Sequence, residues 1–299
     1  MTLVPRRGFP LKAPTWPGTV PRPPAPSRTG LDFDTDWARK PAARLARAAI
    51  IDLAIRPAVH ALAQPTVDGR ERLDAVDAPV IFAANHHSHA DTGLLLSLLP
   101  ERFRRKAVVA AAADYFFDRR AKGTFHALTF GAVPMERTKV NRRSAVVATD
   151  LLADGWNLVI FPEGGRSPDG WGHHHRPGAA FVSNRTGAPV VPVYIDGTSR
   201  ILPKGKSWPT RASCAVVFGS PIAMEHDGDV RQFAQRIERA INELADELTS
   251  GWWEARKNAH RGTTPEITGP SAGAWRRRWA LGPRPGQART ATTRRWPRL

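Results

Sequence analysis

The sequence predicts an α/β fold: one domain with a mostly parallel central sheet flanked by helices. Two observations predict it. Apolar runs of four to six residues alternate with longer stretches that repeat their apolar positions at helical spacing. Polar and glycine-rich motifs follow directly on those short runs, at strand ends, where α/β sheets place ligands.

Taken in chain order, residues 41–62 read as a helix that is apolar almost all round, with Arg44, Arg47 and Arg56 at its flanks and Pro57 expected to bend or end it. It suits either a lipid interface or a cap on the core. Residues 80–84 form a short buried strand, and a polar loop leads from it into a helix over 92–99. A strand at 107–111, a helix at 142–152, a strand at 158–161 and a helix at 178–186 come next. Strands at 190–195 and 215–218 precede a helix over 230–248, whose Phe233, Ile237, Ile241, Leu244 and Leu248 mark a core-facing stripe. There is no internal repeat.

Charge divides the chain differently. The net charge is +17, yet residues 1–30 hold +5 and residues 256–299 hold +10, leaving +2 for the middle. This predicts a proline-rich basic tail over 1–35, a folded domain over 36–255 with 36–66 as a possible interfacial helix, and a basic, disordered tail over 256–299. Charge in tails, not in a folded groove, points to a polyanionic surface more than to nucleic acid. Trp275, Trp279 and Trp296 among arginines suit the headgroup level of an anionic membrane, and RNA binding by stacking is the less favoured reading. No apolar run approaches the eighteen residues of a membrane span, and the first residues lack the apolar segment of a secretory signal. The single cysteine, Cys214, rules out an internal disulfide and suits a reducing cytosol. The expected location is cytoplasmic, at the inner face of the cytoplasmic membrane.

The loop Asn85-His86-His87-Ser88-His89-Ala90-Asp91 carries the chemistry. With a strand before it and a helix after it, His86 is able to turn back so that one imidazole nitrogen meets Asp91 and the other faces a pocket. An imidazole so held accepts a proton from an attacking hydroxyl, and the carboxylate fixes its tautomer. His87, His89 and Asp91 also spell HxHxD, the opening of a zinc hydrolase site, although Thr92 stands where such sites continue with histidine. A polar surface turn is the third reading. His173-His174-His175 is read as a mobile polar loop, because three adjacent residues cannot all face one ion from a regular element.

Three further blocks lie downstream: Gly131 to Arg137 as GxxxxxR, Phe161-Pro162-Glu163-Gly164-Gly165-Arg166-Ser167, and a strand-like block with Pro192. With the first, in this order, they resemble the glycerolipid acyltransferase family, whose best-known member is lysophosphatidic acid acyltransferase. The resemblance covers about half the chain, and Gly165 departs from it by replacing the usual threonine.

The resemblance implies a glycerolipid-acyltransferase-like domain that moves an acyl group from acyl-CoA or acyl carrier protein to a hydroxyl of a glycerophosphate or lysophospholipid acceptor. It implies His86 as base and Asp91 as its orienting group, with no cofactor and no metal. It implies Arg137 at the acceptor phosphate, and Ser88, Glu163, Gly164 and Arg166 around the acceptor. Pro192 is expected to shape a strand end near the acyl donor. Arginine suits phosphate because its planar fork stays charged, and the glycines after Pro162 let backbone amides approach a ligand closely.

Overall fold

The computed structural model describes residues 30–136, 142–166, 171–202, 208–225 and 228–268. Arg137 and most of both tails, with Trp275, Trp279 and Trp296, lie outside the described residues. In chain order the elements are α1 (Pro41–Ile50), α2 (Arg56–Ala63), β1 (Thr66–Asp68), β2 (Ile81–Ala84), α3 (Ala90–Leu98), α4 (Glu101–Arg104), β3 (Ala107–Ala112), α5 (Ala113–Phe116), α6 (Arg120–Phe130), β4 (Ala132–Met135), α7 (Arg142–Ala153), β5 (Asn157–Ile160), α8 (Gly178–Thr186), β6 (Val190–Asp196), α9 (Thr198–Ile201), β7 (Ala215–Phe218), α10 (Val230–Ser250) and α11 (Trp252–Arg261).

The strands make one sheet in the order β1-β7-β6-β2-β5-β3-β4. The five from β6 to β4 are parallel to their neighbours, whereas β7 runs antiparallel to β6 and parallel to β1. Such a sheet is buried on both faces, which is why its strands are continuous apolar runs. Within β2 the pleat sends Phe82 and Ala84 into a core shared with α3, and Ile81 and Ala83 into one shared with α7, α8 and α10. Phe82, Phe103, Phe218 and Phe233 are among the largest fully buried side chains. Each contributes roughly 2–3 kcal/mol of apolar burial.

The order of the sheet positions the site. The chain leaves β2 across β5 towards β3, and returns from β5 across β2 to β6, so β2 is where the winding reverses. Ligands bind at such a reversal, beyond the carboxyl ends of the strands. Because β2 and β5 are direct neighbours, with Ala83 opposite Ile160, the loops that follow them emerge side by side. Two motifs some eighty residues apart in sequence are thereby brought into contact.

Several elements differ from the sequence reading. Pro57 does not end the helix. A wide turn over Ile51–Ile55 joins α1 to α2, placing Pro57 in the first turn of α2, where its missing N–H is not needed. Arg47 is not a flanking interfacial cation but is buried, donating from Nε to the Leu128 carbonyl at 2.8 Å and from Nη2 to those of Ala38 at 2.7 Å and Ala127 at 2.9 Å. It thus adds donors at the last carbonyls of α6, to that of Leu128 and, beside the capping Gly131 N–H, to that of Ala127. Burial, with Arg39 and Arg44 nearby, lowers its pKa to about 10. The helix therefore caps the core on one side, while Leu45 and Leu53 on its outer side are 70% and 80% exposed.

The strands β1 and β4 and the helix α6 carry no sequence signature. The first has three mostly exposed residues, and the second contains Pro134, tolerated because β4 is the sheet edge. The third buries only Gly123, Ala127 and Thr129, which is no apolar stripe. α11 runs past residue 255, where the composition change predicts the tail to begin. It is docked through buried Ala255 and through Arg256, which pairs with Glu243 at 3.3 Å and Glu247 at 3.8 Å.

Candidate active site

Asp91 anchors the loop after β2. It is fully buried at the start of α3, and its Oδ2 accepts from the amides of His87 at 2.7 Å and Ser88 at 2.8 Å and lies 2.8 Å from His86 Nδ1. The His86 ring stacks on Phe161 with centroids 4.2 Å apart, leaving Nε2 as its other nitrogen, and the residue lines the cavity. Asn85 clips the loop to the sheet: its Oδ1 accepts the Ile195 N–H at 2.7 Å and its Nδ2 donates to the Ile195 carbonyl at 2.8 Å.

Glu163 is the second anchor. It is 3% exposed, with Oε1 accepting the His86 N–H at 2.8 Å and Oε2 accepting the His173 N–H at 2.9 Å. Burial outweighs those two hydrogen bonds and pushes its pKa up to about 7, with the charges of Asp91 and Glu238 adding to the rise. The resemblance has Glu163 bind or organise the acceptor headgroup; here both oxygens accept backbone amides.

Ser88 is likewise occupied by backbone: it is buried, donates to the Leu202 carbonyl at 2.8 Å and accepts the Ala90 N–H at 3.1 Å. Pro192 sits inside β6 opposite Ala83, not at a strand end, and does not line the cavity. Gly131, which opens the second motif, caps α6 in the left-handed region at φ 65°. A Cβ there would lie 2.9 Å from the Ala107 carbonyl oxygen and 3.1 Å from Arg47 Nη1.

Gly164, Gly165 and Arg166 do face the cavity, and Gly164 takes φ 71°. Arg176 lies so close that a Cβ on Gly164 would be 2.6 Å from its Nε, and it lines the cavity beside Arg166. The cavity measures about 1050 Å³. From the polar end at His86 and Arg166 it runs between the sheet and α7 and α8, past Ala148, Leu158, Ile160 and Phe181. That is room for a long apolar chain. At its mouth His89 stacks on Tyr115, with Nε2 3.2 Å from the hydroxyl, and Lys122 Nζ lies 4.1 Å from the Tyr115 ring centroid. Burial, then Arg166, lowers the His89 pKa to about 4, so this imidazole is neutral at pH 7. Tyr115, Lys122 and His126 escaped sequence reasoning because they sit on elements with no motif, and Arg176 because it follows the 173–175 run read as a polar loop. The aromatic run Tyr115-Phe116-Phe117 was the one available signal.

The HxHxD residues do not converge. His87 is buried with Nδ1 3.5 Å from Asn85 Nδ2, His89 turns to Tyr115, and Asp91 serves His86. Among the described residues no group of three or more His, Cys, Asp or Glu is arranged to hold a metal ion. Nor is the 173–175 segment a loose loop: besides the His173 amide, His174 Nδ1 lies 2.9 Å from Glu238 Oε1, and the His175 N–H donates to Glu238 Oε2 at 3.0 Å.

A family model described as Acyltransferase matches residues 64–196, a span that holds both anchored loops and the five parallel strands. Over that span, a little under half of its 299 residues, the chain matches the acyltransferase family. Chloroplastic 1-acyl-sn-glycerol-3-phosphate acyltransferases of Arabidopsis thaliana and Brassica napus are each 33% identical to this chain, over 143 and 144 residues. The Chlamydomonas reinhardtii enzyme of the same name is 35% identical over 146 residues. These matches cover 46%, 46% and 47% of the chain but only 38%, 39% and 41% of the relatives' own lengths. In fold the chain resembles the crystal structure of the 1-acyl-sn-glycerophosphate acyltransferase PlsC from Thermotoga maritima. The TM-score is 0.55 at 23% identity, over 74% of this chain and 86% of that one.

Proposed function

We propose that this domain transfers an acyl group from acyl-CoA or acyl carrier protein to the free hydroxyl of 1-acyl-sn-glycerol 3-phosphate, forming phosphatidic acid. The observation that carries this reading is the 2.8 Å contact of His86 Nδ1 with Asp91 Oδ2, on a ring stacked against Phe161 at the wall of a cavity long enough for an acyl chain.

The chemistry follows from that geometry. With Nδ1–H donated to Asp91, Nε2 is the basic nitrogen and takes the acceptor hydroxyl proton as the oxygen attacks the thioester carbonyl. A tetrahedral oxyanion forms, then collapses by breaking the C–S bond, and the imidazolium returns its proton to the departing thiolate. Atoms balance as thioester plus alcohol giving ester plus thiol. The Asp91 carboxylate lies against the imidazolium and offsets its charge, and the thiolate is a good leaving group, so positioning is the main task. Glu163 and Ser88 act by holding the loop that carries His86. Arg166, which lines the cavity, meets the acceptor phosphate, a task that the resemblance also gives to Arg137, and the apolar length of the cavity takes an acyl chain.

Glycerol 3-phosphate and other lysophospholipids are the alternative acceptors. Comparison of their turnover with that of lysophosphatidic acid ranks them. The reading holds when a long-chain acyl-CoA and lysophosphatidic acid yield phosphatidic acid by mass and one free thiol per ester. Thioester loss without ester would contradict it.

The same reading places the protein at an anionic membrane surface. Leu45 and Leu53 are exposed along the helix of α1 and α2, and the stacked Trp252 and Trp253 are 53% and 64% exposed beside Lys257. No helix among the described residues is long and apolar enough to cross a membrane. Peripheral attachment at the inner face of the cytoplasmic membrane, strengthened by the basic tails, fits that surface.

A further inference from the structure

The loop that ties down Glu163 is itself held from outside the matched region. After α11 the chain returns across α10, and the Ile267 N–H donates to Asn242 Oδ1 at 3.2 Å. The Ile267 carbonyl accepts the Gly172 N–H at 2.8 Å. The next amide, that of His173, donates to Glu163 Oε2 at 2.9 Å, and Glu163 Oε1 accepts the His86 N–H at 2.8 Å. Four hydrogen bonds thus run without a break from α10 to the backbone of His86.

The packing along this path is tight. A Cβ on Gly172 would lie 3.1 Å from Ile267 Cγ1 and 3.2 Å from its Cδ1, so the 263–268 strap presses directly on the loop. Asn242 and Thr268 are each 7% exposed, and Ile267 packs against the core cluster that includes Phe233, Ile237 and Ile241 of α10. One turn before Asn242, Glu238 holds His174 and the His175 amide. The loop is therefore attached to α10 at two points, once directly and once through the strap.

We propose that Asn242 is a positioning residue for acyl transfer: through the 263–268 strap it fixes the Gly172–His173 segment, and so the Glu163 carboxylate that holds the His86 loop. This rests on the acyl-transfer reading above. It assigns a role in the reaction to a stretch of chain beyond residue 196, where the family match ends. Misplacing a base by a fraction of an ångström lowers the chemical step and leaves substrate binding nearly unchanged.

The test uses the full chain with Asn242→Ala. Its kcat should fall by about tenfold or more while both KM values stay within about twofold. The acidic limb of the rate profile should move to higher pH, because a freed His173 amide no longer favours the Glu163 carboxylate. The groups facing Glu163 are Asp91 from the His86 loop, Glu238 from α10, and the amides of His86 and His173. Only the last of these is loosened by the substitution. Amide hydrogen exchange supplies an arm that needs no activity. In the parent the amides of Gly172, His173 and Ile267 should be protected together, and in Asn242→Ala all three should exchange faster while Ile241 and Leu244 stay protected. Loss of all three protections with kcat and the acidic limb unchanged would overturn the proposal, as would a Gly172 amide that stays protected once Ile267 is released. A parent that transfers no acyl group would sink the acyl-transfer reading, and the exchange arm would still decide whether the strap holds the loop.

Discussion

A carboxylate oxygen that meets three N–H groups cannot turn, and that constraint sets what each residue in the site is able to do. Asp91 Oδ2 is such an atom. Asp91→Asn keeps the shape but removes the charge that offsets an imidazolium on His86. Steady-state kinetics should show kcat lowered by about a thousandfold with KM little changed. Glu163 behaves differently, because burial lifts its pKa from the ordinary 4.5 to about 7. Below pH 4.5 the carboxyl is protonated in both folded and unfolded chains. As pH rises through 7 the folded chain must hold a buried carboxylate, and about 3 kcal/mol of stability is lost. Thermal unfolding from pH 5 to pH 8 should therefore show the parent losing stability and Glu163→Gln losing much less. Activity should run the other way, since only the carboxylate accepts both amides, so the parent rate should fall below pH 7 and the variant should be slow throughout. A parent whose stability is flat over that range would refute the account of Glu163. His86 and Asp91 were legible because their five-residue spacing across a strand-to-helix loop leaves few geometries. The anchoring tasks of Ser88 and Glu163 were not, because sequence shows that a polar residue is present and not that backbone groups have taken the Ser88 hydroxyl and both Glu163 oxygens.

At the scale of elements, legibility followed burial pattern. α10 and the strands β2, β5 and β6 are fully patterned and stand where the periodicity puts them. α6 escaped because what holds it is a distant guanidinium, not an apolar stripe. Arg47 reaches its last carbonyls from α1. Arg47→Ala should destabilise the fold by roughly 3 kcal/mol in denaturant titrations, because a charged donor and its carbonyl acceptors lose each other inside the protein. Arg47→Lys should recover only a part, since an ammonium cannot span two carbonyls of α6 and that of Ala38 at once. Equal stability of all three proteins would show that α6 is held by packing alone. Pro57 teaches a related lesson: a proline ends a helix only where the turn before it cannot widen, and here the Ile51–Ile55 turn widens.

For the whole molecule, the order of strands accounts for why the motifs meet, and the sequence order of the motifs alone could not. Placing β5 directly beside β2 sets Phe161 against His86 and Glu163 beneath its amide. The exposed Leu45 and Leu53 should set affinity for a lipid surface. Replacing both with glutamate should weaken binding to vesicles containing anionic lipid by at least about tenfold in co-sedimentation, while the thermal midpoint stays near that of the parent. Unchanged binding would move the contact to the tails. The central claim remains that His86, held by Asp91, takes the proton of an acceptor hydroxyl. Its most direct test is thiol release from a long-chain acyl-CoA with and without lysophosphatidic acid, in the parent and in His86→Ala. The account predicts release that depends on the acceptor in the parent and falls by about a thousandfold or more in the variant; release of equal rate in the two proteins would contradict it.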